Sequence, residues 1–127
     1  SQASKATALA KRQARLDTVN TELNQLRQDG IIKSKGNFVL PPAAPDALIF
    51  ERGHVFQRIA EREMSFTDAE KIISDARFAL RQQNGKVHAY YSADGFVAVR
   101  NDGMIYSMGR LDEGGKKLME VAKRHGF

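Results

Sequence analysis

Between Val87 and Met108 the side-chain pattern repeats every two residues, and this constrains the fold more than any other feature of the chain. Val87 to Tyr91, Phe96 to Arg100 and Met104 to Met108 are short stretches rich in aromatic and β-branched residues, separated by Ala93-Asp94-Gly95 and Asn101-Asp102-Gly103. Asp-Gly pairs accept the positive φ that tight hairpin turns require. The segment therefore reads as an antiparallel meander of three to four strands. Successive strand residues point to opposite faces. His88 and Tyr90 then share one face, with Val87, Ala89 and Tyr91 on the other. By the same alternation Met104, Tyr106 and Met108 face away from Ile105 and Ser107.

Helical periodicity precedes and follows this segment. Leu9, Leu16, Val19, Leu23 and Leu26 recur at helical spacings over about residues 3–29, and Asp29-Gly30 supplies a stop. The seam from Leu16 is heptad-like over two repeats, so an oligomer formed through this helix is one expectation. Ile31-Ile32-Lys33 and Phe38-Val39-Leu40 flank a turn that suits a short hairpin, and Pro41-Pro42 and Pro45 then block regular structure. Asp46 can cap a helix over about 46–63 with Leu48, Ile49, Val55, Phe56, Ile59 and Ala60 on one face. Ser65 and Asp68 form a capping box for a second helix over about 66–83, with Phe66, Ala69, Ile72, Ile73, Ala76 and Leu80 inward. Leu118, Val121 and Ala122 mark a last helix that starts at 111 or 115 and ends near 125. The expected architecture is α+β: an N-terminal helical arm, two helices, the meander and a C-terminal helix. Residues 1–45 form the arm and Pro-rich connector, and 46–127 the α+β domain.

The chain has 127 residues, 42% of them hydrophobic, enough for one domain with a core. It has no cysteine, which excludes disulfides and thiolate metal sites. His54, His88 and His125 lack ligand-like spacing, so neither metal nor other cofactor is expected. No apolar run reaches membrane-spanning length. A chain that opens on Ser1 reads as cut from a larger protein. The formal charge of +5 favours a polyanionic partner such as RNA, although a basic domain without one has the same charge.

Two sets of residues suit phosphate chemistry. His54, Arg58 and Arg62 stand four apart and form one row along the edge of the expected 46–63 helix. Histidine moves protons near neutral pH, and arginine grips phosphate through paired hydrogen bonds. Glu51, Glu61 and Glu63 lie at spacings that would also make this row an ion-paired, solvated face. The second set is His88, Tyr90, Tyr106, Ser107 and Arg110. Tyrosine stacks on bases and hydroxyls orient phosphates, though aromatics in a small sheet also serve as packing.

Gly53-His54 through Arg58, Arg62 and Ser65-Phe66-Thr67-Asp68-Ala69-Glu70 resembles the pattern of a histidine, an arginine four residues on, a second arginine and then S-x-x-[DE]-[AV]. Tyr90 to Val99 and Asp102 to Ser107 resemble the later half of the same pattern. Together they resemble the barnase/EndoU/colicin/RelE-like nucleases, found at the C-termini of bacterial polymorphic and contact-dependent toxins and in phage head-associated proteins. The resemblance implies a ribonuclease that needs no metal and cleaves RNA, tRNA included, by attack of the 2′-hydroxyl. It makes His54, Arg58 and Ser107 catalytic, with the acid–base partner open among His88, Tyr90 and Tyr106. Arg62, Tyr90 and Arg110 would bind substrate. It further implies action in the bacterial cytoplasm, delivery as the C-terminal part of a larger secreted or phage protein, and a cognate immunity protein. A non-catalytic nucleic-acid-binding module and a phage assembly domain are the alternative readings.

Overall fold

The computed structural model describes residues 1–50 and 64–127. His54, Arg58, Arg62 and residues 51–63 of the expected first domain helix lie outside the described residues. Among the described residues three helices and a six-stranded mixed sheet alternate along the chain. Helix α1 spans Gln2–Gln28, strand β1 Asn37–Val39 and strand β2 Ile49–Phe50. Helix α2 spans Phe66–Asp75, followed by β3 Phe78–Gln82, β4 Val87–Ser92, β5 Gly95–Arg100, β6 Met104–Gly109 and helix α3 Glu113–Arg124. The α+β class with a helix at each end is as the sequence indicates. No helix among the described residues is long and apolar enough to cross a membrane.

The sheet runs in the order β1-β3-β4-β5-β6-β2. β3 to β6 form an antiparallel meander, β1 adds antiparallel to β3, and β2 adds parallel to β6. Four expectations are corrected here. Among the described residues the sheet has six strands and is mixed, not three- to four-stranded and antiparallel. The helix from Ser65 ends at Asp75, and Phe78–Gln82 is a strand. Ile49 and Phe50 belong to strand β2 instead of the start of a helix. Phe38 and Val39 pair with Leu80 and Ala79, not with Ile31-Ile32-Lys33.

Two apolar layers sandwich the sheet. On one face α1 and α3 pack Val19, Leu23, Leu118 and Val121 onto Phe38, Phe78, Leu80 and Ala89, all buried. On the other, α2 packs Ala69, Ile72 and Ile73 onto Ala79, Tyr90, Val97 and Met108. The Ser65–Asp68 capping box forms as the sequence predicts: Asp68 N donates to Ser65 Oγ, and Ser65 N donates to Asp68 Oδ2 at 2.8 Å. Strand β1 is a sheet edge, and edges left unpaired invite other strands. Asn20 of α1 occupies part of that edge. Its amide accepts from Phe38 N at 2.8 Å and donates to Phe38 O at 3.0 Å, as a neighbouring strand would.

Glu22 ties α1 to the end of α3. Arg124 donates to both carboxylate oxygens, and His125 Nε2 lies 3.2 Å from Oε1. The Arg124 hydrogen bonds lead in holding the Glu22 carboxyl down to about 2, with burial opposing and His125 assisting. A carboxyl depressed in the folded state stabilises fully above its ordinary value of 4.5. That contribution disappears as pH falls towards 2. Glu22→Gln is expected to lower the thermal midpoint by about 2–4 °C at pH 7, the effect of one well-formed surface network. The gap to wild type should close between pH 4.5 and pH 2 in melts followed by circular dichroism. A gap that stays constant over that range would refute the coupling.

Candidate functional site

An irregularity in β6 decides which side chains meet. Ala98 of β5 pairs with Ser107, but the next residue, Val99, pairs with Ile105. Tyr106 is thus an extra residue, a β-bulge that resets the alternation. Ile105 and Met108 both become buried on the α2 side. Tyr106 and Ser107 both turn to the α1/α3 side, where they line one cavity with Ala89 and Ala98. The strict alternation expected from sequence, with Tyr106 and Ser107 on opposite faces, is corrected by this bulge.

Tyr106 stands between two cavities on that face. The larger, about 530 Å³, is lined among the described residues by Gln83, Lys86, Arg100, Asn101, Asp102 and Tyr106, together with Val87 and Met104. The smaller, about 260 Å³, runs under the start of α3 past Tyr91, Ser107 and Asp112. Tyr106 is 52% exposed, unusual for a large aromatic in the middle of a strand. Lys86 and Arg100 are exposed beside it. Arg100 is paired with Asp102, whose carboxyl is held below its usual value by the Met104 backbone amide first and by Arg100 as well. In the smaller cavity the Tyr91 hydroxyl donates to Ser34 Oγ at 3.1 Å, and burial pushes that phenol up.

The opposite face carries His88 and Tyr90, which line a cavity of about 290 Å³ with Pro42, Asp46, Arg100 and Asn101, the last two also lining the Tyr106 groove. Tyr90 is buried, and its hydroxyl donates to Pro42 O at 3.1 Å. Half-buried His88 is held below its ordinary value by burial, then by the Arg81 charge; a hydrogen bond with Asn101 opposes both.

The structure thus groups Tyr106 with Ser107 and His88 with Tyr90, on opposite sides of the sheet. Arg110 is exposed just past β6, where its charge helps hold the Asp94 carboxyl low, after the larger effect of Lys71. Lys86, Gln83 and Arg100 were not singled out from sequence. Their convergence depends on β3: in the meander the β3–β4 and β5–β6 turns fall at the same end, and a sequence reading that continues the helix to residue 83 has no β3–β4 turn to place there. The chain matched no protein-family model, no curated protein and no solved structure.

Proposed function

We propose that this domain is a metal-independent ribonuclease that holds single-stranded RNA in the groove around Tyr106. The observation that carries the reading is an exposed tyrosine standing in a 530 Å³ groove beside Lys86 and Arg100. An aromatic ring offers a base a stacking surface, and flanking cations hold its phosphates. The +5 formal charge and the sequence resemblance support the same reading.

In the proposed reaction His54 takes the proton from a ribose 2′-hydroxyl, and that oxygen attacks the adjacent phosphorus. Arg58 and Arg62 stabilise the charge that grows on the phosphate oxygens. The bond to the 5′ oxygen breaks, and that oxygen receives a proton from a general acid. The products are a 2′,3′-cyclic phosphate and a 5′-hydroxyl. Tyr106 is the preferred acid, because it shares its face with Ser107 and the cationic groove, whereas His88 and Tyr90 face the other way. In sequence, three residues separate His54 from Phe50, which pairs with Ile105 next to Tyr106. Toxin activity inside a bacterium, restrained by an immunity protein, is the setting we propose for this chemistry.

The test is incubation of purified protein with an RNA oligonucleotide in excess chelator. Cleavage is expected, with cyclic-phosphate ends, and none in a 2′-O-methyl oligonucleotide of the same sequence. Salt-dependent binding without cleavage would favour a non-catalytic binding module in the same groove. Cleavage of the 2′-O-methyl strand would overturn the mechanism.

A further inference from the structure

Helix α1 is only half used by the fold. Leu16, Val19, Leu23 and Leu26 pack on the core, so the heptad-like seam is consumed within the chain itself. Residues 1–15 are exposed throughout, about 20 Å of helix standing clear of the body. Five alanines with Lys, Arg and Gln, all strong helix formers, explain why it stays helical without packing.

The free half carries Lys5, Lys11, Arg12 and Arg15, and no acidic residue occurs before Asp17. At a hundred degrees per residue these four cations fall within about 120° of the helix surface. That stripe is the upstream continuation of the face that buries Val19 and Leu23. Arg15 marks the junction, its guanidinium 4.8 Å from the Phe127 ring. Lys5, Lys11 and Arg12 have no ion-pair partner among the described residues. Four like charges on one stripe repel one another, and an anionic partner relieves that repulsion.

We propose that this stripe is a second nucleic-acid contact, which binds the phosphate backbone of an RNA strand beyond the Tyr106 groove. It rests on the reading of the domain as an RNA-acting protein. An anionic lipid surface fits less well, because membrane-lying helices need a continuous apolar face and this half offers only Leu9 and alanines. A phosphate contact carries no sequence information, so the stripe extends the footprint and raises affinity without reading bases.

The test is a triple variant, Lys5→Gln, Lys11→Gln and Arg12→Gln, with Arg15 kept because it packs on Phe127. Binding to a 2′-O-methyl RNA oligonucleotide of about 20 nucleotides is followed by fluorescence anisotropy from 50 to 200 mM salt. Each lost phosphate contact removes about 0.7 from the log–log salt slope on single strands. The slope should fall by about 2, so over this range wild type gains about 20-fold more affinity on lowering salt than the variant does. An unchanged slope overturns the stripe, even if the protein cleaves RNA and the ribonuclease reading stands. A reduced slope in a protein that never cleaves RNA supports the stripe and removes catalysis alone. Wild type that binds phosphatidylserine vesicles but not the oligonucleotide overturns both.

Discussion

Gly103→Ala is expected to cost about 3 kcal/mol or more of folding stability, and with it a large part of any RNA-cleaving activity. Gly103 has φ +92°, a conformation that L side chains rarely adopt. A methyl group there would overlap the backbone carbonyl oxygen of Ala47. Neither side can yield cheaply, since both are backbone. Ile49 N donates to Gly103 O at 2.8 Å, and Gly103 N donates to Arg100 O at 2.9 Å. Substitution therefore strains the β5–β6 turn and pushes β2 off β6 together. Strain and overlap at one buried site belong to the small group of causes that exceed ordinary mutational effects. A matched control is Gly30→Ala, where φ is +75° but no atom lies within 4 Å of an added methyl group. That change should cost about 1 kcal/mol, the conformational penalty alone. Urea titrations of both variants measure the difference. Equal losses would mean that the Ala47 contact contributes nothing. Cleavage should fall more in the Gly103 variant, because β2 leads directly into the segment that holds His54.

The same turn shows how far the sequence could be read. Asn101-Asp102-Gly103 announced itself because hairpin chemistry is local: a positive φ needs glycine, and the Asp102 side chain accepts from Met104 N at 3.0 Å. The capping box at Ser65 and the inward Leu118, Val121 and Ala122 were legible for the same reason, since each signal lies within one or two helical turns. Strand β3 was not. Phe78, Ala79 and Leu80 are all buried, because β3 lies between β1 and β4 with helices over both faces. A strand covered on both sides loses its polar alternation, and Ile73, Ala76 and Leu80 then mimic a helical face. β2 depended on a parallel pairing with residues some 55 positions away, which no local pattern encodes. Leu9 continued the helical seam in sequence, yet it is 60% exposed because the body ends near Leu16. At the candidate site, Tyr106 and Ser107 were legible as residue types, but their shared face was not. That depends on a bulge set by the β5–β6 register.

Tyr106→Ala is expected to lower kcat/KM on RNA by roughly 100-fold or more, while Tyr106→Phe separates the two ways in which the ring could act. Stacking on one base is worth about 1–3 kcal/mol, roughly 10- to 100-fold in binding, and the phenylalanine ring retains it. A general acid contributes roughly 10²–10⁴ in rate, and the phenylalanine ring cannot supply it. If Tyr106 protonates the leaving oxygen, the phenylalanine variant keeps its KM and loses kcat at least 100-fold. If the tyrosine is only a platform, the phenylalanine variant approaches wild type and the alanine variant loses through KM. We expect the first outcome, because Tyr106 is the candidate proton donor on the face with Ser107, Lys86 and Arg100. Neither substitution should disturb the core: the side chain is half exposed, and Ile105 and Met108 carry the buried side of β6. Thermal midpoints within about 2 °C of wild type would verify that. His88→Ala sharpens the assignment from the other side of the sheet. With His88 facing away from the groove, its loss should leave kcat within about threefold of wild type. A collapse of kcat in His88→Ala, with Tyr106→Phe fully active, would move the reaction to the Pro42–Tyr90 cavity and leave the Tyr106 groove without a catalytic role.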